Sequence, residues 1–62
     1  MTVSIYQATR RIGYATQSGF IAFVASEAHR FETREEADRV GAECCRRMAV
    51  AWGGEFEWKV RG

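Results

Sequence analysis

The side chains able to carry out chemistry in this chain are few. His29 is the only histidine, so a metal site or a Cys–His nucleophile would have to combine it with Cys44 or Cys45 across the fold. No ligand spacing in the sequence supports such a site. Neighbours on a helix point about 100° apart, so the two adjacent cysteines neither chelate one ion nor easily form a disulfide. We expect no metal and no cofactor.

The carboxylates and glycines are equally poor candidates for catalysis. Glu35 and Glu36 are adjacent on a predicted helix and face different ways, which is unsuited to an acid/base pair. Gly53 and Gly54 follow that helix, whereas a phosphate-cradling glycine loop opens one. These patterns predict a protein that is not an enzyme.

The clearest structural element is a helix over residues 34–51. The sequence from Thr33 to Glu36 has the form of a capping box, which starts a helix, and Gly53 is suited to ending it. Apolar or small residues recur at three- and four-residue steps between these points, as expected for a buried helix face. They are Ala37, Val40, Gly41, Cys44, Met48 and Ala51.

Three segments have the character of strands. Residues 55–61 alternate strictly, which predicts a half-buried strand with Phe56, Trp58 and Val60 on one face. Residues 19–25 form a continuous apolar run with both faces in need of cover. Residues 3–9 alternate and are β-branched, with the strand end left open at Thr9, Ile12 or Tyr14, and residues 13–18 have the composition of a turn.

These elements predict one domain, residues 1–62, of α+β class. The order β-β-α-β gives a three-stranded, mainly antiparallel sheet with one helix packed on one face. A right-handed crossover through the helix is expected to place the third strand parallel to the second.

One face of that sheet is expected to stay uncovered and apolar. A chain of 62 residues buries only about 60% of its unfolded surface, so self-association is a natural source of added stability. We predict a homodimer whose interface draws on Phe20, Ile21, Phe23 and Val24, together with Tyr6. The alternative is a monomer in which the 13–18 loop folds across that face.

The net charge is only +1, too near zero for a general nucleic-acid binder. Residues 27–43 are nevertheless acidic, with three basic against six acidic side chains, or −3. The acidic start of the helix could meet a basic protein surface, although acidic residues also simply favour a helix N-terminus. The residues concerned are Glu32, Glu35, Glu36 and Asp38.

The rival hypothesis is a small single-stranded nucleic-acid-binding protein that uses the sheet. Aromatic rings would stack on bases while basic side chains follow the backbone, the candidates being Arg10, Arg11, Lys59 and Arg61. Glu55 and Glu57 alternate with the last two on the same predicted face and would repel phosphate. Nucleic acid is therefore not the favoured partner.

Two cysteines are too few for a disulfide framework, which favours a reducing, cytoplasmic setting with Cys44 in the core. The alternative is an exposed Cys45 thiol that forms an intermolecular bridge. No apolar run reaches the roughly 18 residues of a membrane span, so no membrane partner is expected.

The run Phe31-Glu32-Thr33-Arg34-Glu35-Glu36-Ala37 resembles the helix start of small β-β-α-β domains found in bacteria and their phages, with the pattern Phe-x-Thr-x-Glu-Glu-Ala. In size and composition the chain also looks like the small proteins that phages encode against host defences, including anti-CRISPR proteins. These likenesses imply a non-enzymatic protein-interaction module that binds and blocks a host complex.

Overall fold

The computed structural model describes all 62 residues and shows an α+β protein with one long helix and an antiparallel sheet. The sheet has four strands, so the prediction of three is wrong. Its order is β3-β2-β1-β4, with every neighbouring pair antiparallel. The elements are β1 (Thr2–Gln7), β2 (Arg10–Ala15), β3 (Ile21–Ala22), a 3₁₀ turn (Ala25–Glu27), α1 (Arg34–Trp52) and β4 (Glu57–Arg61).

The additional strand arises from an early reversal of the chain. The segment that begins at Thr2 ends at Gln7, and Ala8 and Thr9 form a two-residue hairpin connection in which Ala8 has a φ of 57°. The predicted extension to Ile12 or Tyr14 is therefore wrong, because those residues return in β2. Tight hairpins usually contain Gly, Asn or Asp. None marks this one, so the sequence pattern does not reveal it.

The second reversal lies at residues 16–20, later than the predicted turn at 13–18. The Thr16 amide donates to the Phe20 carbonyl at 2.9 Å, and Gly19 has a φ of 84°. After this loop only Ile21 and Ala22 pair with β2, and the chain then enters the 3₁₀ turn. The predicted strand over 19–25 is thus reduced to two residues.

The last strand also differs from the prediction. β4 pairs with β1 at the far edge of the sheet and runs antiparallel to it, so β4 is antiparallel to β3. The parallel arrangement expected from a right-handed crossover is wrong. That handedness rule governs connections between parallel strands and does not apply here.

The helix prediction is confirmed to within one residue. The Thr33 hydroxyl accepts from the Glu36 amide at 3.1 Å, and Gly53, with a φ of 79°, follows Trp52 at the helix end. The predicted stripe is buried except at its last position, Ala51, which is exposed. The helix accordingly presents one face to the sheet.

The core lies between α1 and one face of the sheet. Val3 and Ile5 in the central strand β1 are fully buried and pack in one cluster with Cys44 of the helix. Phe56, Trp58 and Val60 pack against this cluster, as predicted. No helix has the length and apolar character needed to cross a membrane.

Candidate interaction surfaces

Five large hydrophobic side chains are more than half exposed, and we call them the apolar strip. They are Phe20 (62%), Phe23 (59%), Val24 (52%), Val50 (84%) and Trp52 (59%). The strip crosses from the β3 edge to the end of α1, where the rings of Phe23 and Trp52 stack with centroids 6.0 Å apart and planes 11° from parallel. This pair joins two elements that are distant in sequence.

A groove of ≈ 440 Å³ adjoins the strip between the residue 19–21 segment and the second half of α1. Its walls include Phe20, Ile21, Met48 and Val50. Arg47 fixes the loop beside it, because its guanidinium donates to the Ser18 carbonyl at 2.9 Å and to the Glu43 carboxylate at 3.0 Å. The same guanidinium lies 4.5 Å from the Phe20 ring centroid, so Phe20 is held outward.

The structure corrects the expected position of the apolar surface. Phe20, Phe23 and Val24 lie outside the two paired residues of β3, at the sheet edge, while Ile21 packs toward the core. The loop does not cover the second sheet face either, because residues 18 and 19 contact α1. Both the predicted apolar face and the alternative of a loop folded over it are therefore wrong.

The face of the sheet away from α1, called here the open sheet face, is polar and aromatic. Strand alternation and register place on it Ser4, Tyr6, Arg11, Tyr14, Glu57, Lys59 and Arg61. Ser4 lies opposite Tyr14 on one side and Lys59 on the other and is only 1% exposed, so its larger neighbours close over it. The tyrosine rings are half-buried.

Each tyrosine of this face carries a cation over its ring. The Lys59 ammonium lies 4.8 Å from the Tyr6 centroid, and the Arg11 guanidinium lies 5.3 Å from the Tyr14 centroid. The pKa of Tyr6 is lowered from its ordinary value, chiefly by hydrogen bonding from Arg61. Burial raises this pKa, whereas the charges of Arg61, Lys59 and Arg11 lower it further. The cations of the open sheet face therefore favour the ionised form of Tyr6.

Three of the four predicted nucleic-acid contacts meet on this face. Arg11, Lys59 and Arg61 come together there, whereas Arg10 lies on the opposite side of β2 by strand alternation, beside the hairpin. Tyr6, predicted at the dimer interface, belongs to the open sheet face instead. Tyr14 was missed as a site residue because a bulge in the β1–β2 pairing, near Ile5 and Tyr6, disturbs simple alternation.

The acidic helix start is partly neutralised within the protein. Asp38 accepts from the Trp58 indole at 3.1 Å and lies 3.4 Å from Arg34, and Glu36 lies 4.0 Å from Arg39. Glu32 and Glu35 are exposed. Of the four predicted partner-binding residues, Glu36 and Asp38 therefore interact with other side chains of the protein, whereas Glu32 and Glu35 face solvent.

Both cysteines are buried and free, so the alternative of an exposed Cys45 thiol is wrong. Burial raises the pKa of Cys45 to about 11, with Cys44 and Glu57 adding to the rise, and burial also raises the pKa of Cys44. Neither thiol is poised as a nucleophile.

Thiol modification by an aromatic disulfide reagent should show this protection. At pH 8, with a Cys45 pKa of about 11, roughly one thiol in a thousand is ionised. We expect both cysteines to react at least about tenfold more slowly in the native protein than in urea, with the native rate rising between about pH 9 and 11. Equal native and denatured rates at pH 8 would contradict the burial of these thiols.

His29 packs edge-on against Phe31, with ring centroids 4.7 Å apart. No group of three or more His, Cys, Asp or Glu side chains is arranged to hold a metal ion.

No protein-family model, curated protein or solved structure matches this chain.

Proposed function

We propose that this protein is a non-enzymatic protein-interaction module and that the apolar strip is its contact surface. The observation that carries the proposal is the exposure of five large hydrophobic side chains in a chain of 62 residues. Their exposed area is on the order of 500 Å², at the upper end of what monomers leave in one patch. Such a surface is typical of a binding site.

The first occupant we assign to the strip is a second copy of this chain. A standard interface buries about 800 Å² per partner, and the strip with the adjoining groove supplies most of an apolar centre of that size. Arg46 and Arg47 lie beside the groove and provide a polar rim. The small core of a short chain also gains from such burial.

The dimer is tested by light scattering coupled to size-exclusion chromatography. We expect about 14 kDa, twice the 7.0 kDa chain mass. The mass should hold between about 0.05 and 0.5 M salt, because apolar burial is not screened by ions. Val50→Glu places a charge on the most exposed member of the strip and should weaken the dimer at least about thirtyfold.

Phe23→Asp provides a second disruption, and Ser26→Asp is its matched control. Ser26 is exposed in the 3₁₀ turn three residues further along, is not a member of the strip and acquires the same charge. Loss of the dimer in Phe23→Asp with retention in Ser26→Asp supports the proposal. A wild-type protein that remains a 7.0 kDa monomer at about 100 μM, a concentration far above the dissociation constant of a stable dimer, would overturn the proposed dimer.

The role of a phage-encoded inhibitor of a host defence complex, suggested by chain length and composition, is compatible with this assignment. It requires a contact surface and no catalytic groups. Glu32 and Glu35, exposed at the start of α1 beside Arg34, are the residues through which a basic host surface would be met. Charge reversal at both should weaken that contact most at low salt.

A further inference from the structure

We infer that the open sheet face binds a single-stranded nucleic acid, with Tyr6 and Tyr14 stacking on bases and Arg11, Lys59 and Arg61 contacting the phosphates. This site lies on the side of the sheet away from α1, whereas the apolar strip lies at the β3 edge and the end of α1. The inference is therefore independent of the proposed dimer, which leaves the open sheet face free.

The charge of the face differs from that of the whole chain. Three basic side chains and one acidic one, Glu57, give the face a charge of +2, against +1 for the entire protein. Glu55 lies before β4 begins and does not join the face, which removes one of the two acidic residues expected to repel phosphate. These same cations lower the pKa of Tyr6, chiefly through hydrogen bonding from Arg61.

The spacing of the two rings suits consecutive bases. Tyr14 lies opposite Ser4, and Tyr6 is two residues further along β1, which makes the tyrosines diagonal neighbours on one face. Such positions are about 7–8 Å apart, a distance that two adjacent bases turned out of their stack can bridge. Each ring is already capped by a cation, so an incoming base takes that place while the long basic side chain moves to the flanking phosphate.

The chemistry favours a single strand over a duplex or an acidic protein. Stacking needs unpaired bases, and a duplex offers its bases only at their edges. An acidic peptide would satisfy the cations but leave both rings without a planar partner. The same face accepts RNA or DNA, so the two polymers are compared in the experiment.

Fluorescence anisotropy with labelled oligo-uridine and oligo-thymidine of about 12 nucleotides tests the site on the full-length protein. We expect saturable binding whose log–log dependence on salt has a slope of about −2, as three phosphate contacts to a single strand predict. Lys59→Gln or Arg61→Gln should each reduce the slope by about 0.7. Tyr6→Leu and Tyr14→Leu should each weaken binding roughly tenfold at constant salt slope.

The matched control is Arg39→Gln, which removes the same charge from the exposed side of α1, where the Arg39 side chain is 73% exposed. It should leave the affinity within about twofold of wild type, since long-range charge effects are screened. Because the basic residues are exposed, the glutamine variants should fold even if a tyrosine variant does not. Circular dichroism checks each one.

Three results would overturn the inference. The first is no binding of either oligonucleotide at low salt, and the second is an equal loss of affinity in Arg39→Gln and Lys59→Gln. The third is competition by polyglutamate, or by a duplex of equal length, as strong as competition by the unlabelled single strand. A preference for oligo-uridine over oligo-thymidine would support the site and assign it to RNA, and the reverse would assign it to DNA.

Discussion

Replacing Gly41 with alanine should destabilise the protein, although alanine favours a helix by about 1 kcal/mol over glycine. A Cβ at this position would lie 2.5 Å from Cδ1 and 2.6 Å from Cγ of Trp58. These atoms are at the base of the indole, so the whole ring must move. Overpacking of this kind typically costs about 1–3 kcal/mol. After the gain in helix propensity is subtracted, we expect a net loss of about 1–2 kcal/mol, measured by urea unfolding at a fixed protein concentration.

The loss would be large because a domain of this size rarely has more than about 3–5 kcal/mol of stability. Moving Trp58 also breaks the hydrogen bond from its indole to Asp38, which joins β4 to the helix. The effect should therefore extend beyond the contact itself and loosen the edge strand that carries Lys59 and Arg61.

A double-mutant cycle separates the clash from helix propensity. In a Trp58→Leu background the smaller side chain can turn away from position 41, so Gly41→Ala should become neutral or stabilising by up to about 1 kcal/mol. A change of sign between the two backgrounds would confirm that Gly41 is required for the approach of Trp58. The same destabilisation in both would show that the close approach is not the cause.

The helix and the last strand could be predicted from the sequence because their signals are local. Thr33 and Glu36 fix the helix start, Gly53 ends it, and the alternation of Phe56, Trp58 and Val60 specifies a half-buried strand. Each depends on side chains within a few residues of one another. The structure confirms the helix and the strand, although the strand begins at Glu57 and not at residue 55 as predicted.

The strand count was missed because it depends on a turn without a sequence signature. Ala8 adopts a left-handed conformation in a two-residue connection, an uncommon choice for alanine, and the favourable pairing of β1 with both β2 and β4 must offset its strain. Sheet pairing is a long-range property, and alternation in residues 2–15 fits one long strand or two short ones.

The position of the apolar surface was missed for a related reason. The run from Phe20 to Ala25 is rich in β-forming residues, yet only two of them pair, because Gly19 and the 3₁₀ turn bound the strand closely. The exposed phenylalanines consequently lie at an edge, where Trp52 of the helix meets them. With four strands in place of three, the sheet face away from α1, which was expected to be apolar, carries polar side chains and the two tyrosines.

The short length of β3 is also the reason why we expect Gly13→Ala to lower the stability of the protein. A Cβ on Gly13 would lie 2.5 Å from the Ala22 carbonyl oxygen and 2.7 Å from Cγ1 of Ile21. One of these atoms belongs to the backbone and cannot rotate away. Since β3 has only two paired residues, the strand cannot shift locally and must separate from β2. We expect a stability loss of about 1–3 kcal/mol in urea unfolding.

The same substitution should distinguish the two surfaces. Separation of β3 displaces Phe20 and Phe23, so we expect Gly13→Ala to weaken the dimer at least about tenfold without altering any residue of the apolar strip. The open sheet face depends on the pairing of β1 with β2 and β4, which remains intact. Oligonucleotide affinity should therefore stay within about threefold of wild type, because the stacking and phosphate contacts are unchanged.

Gly62→Ala is the control for this experiment, because a Cβ there meets nothing within 4 Å. It should leave the unfolding free energy, the molecular mass and the oligonucleotide affinity unchanged. If Gly13→Ala lowers the unfolding free energy and leaves the dimer intact, the dimer contact does not depend on the β3 edge. If it abolishes both forms of binding in a protein that is still folded, the two surfaces are coupled through β2, and the independence argued from their separation is wrong.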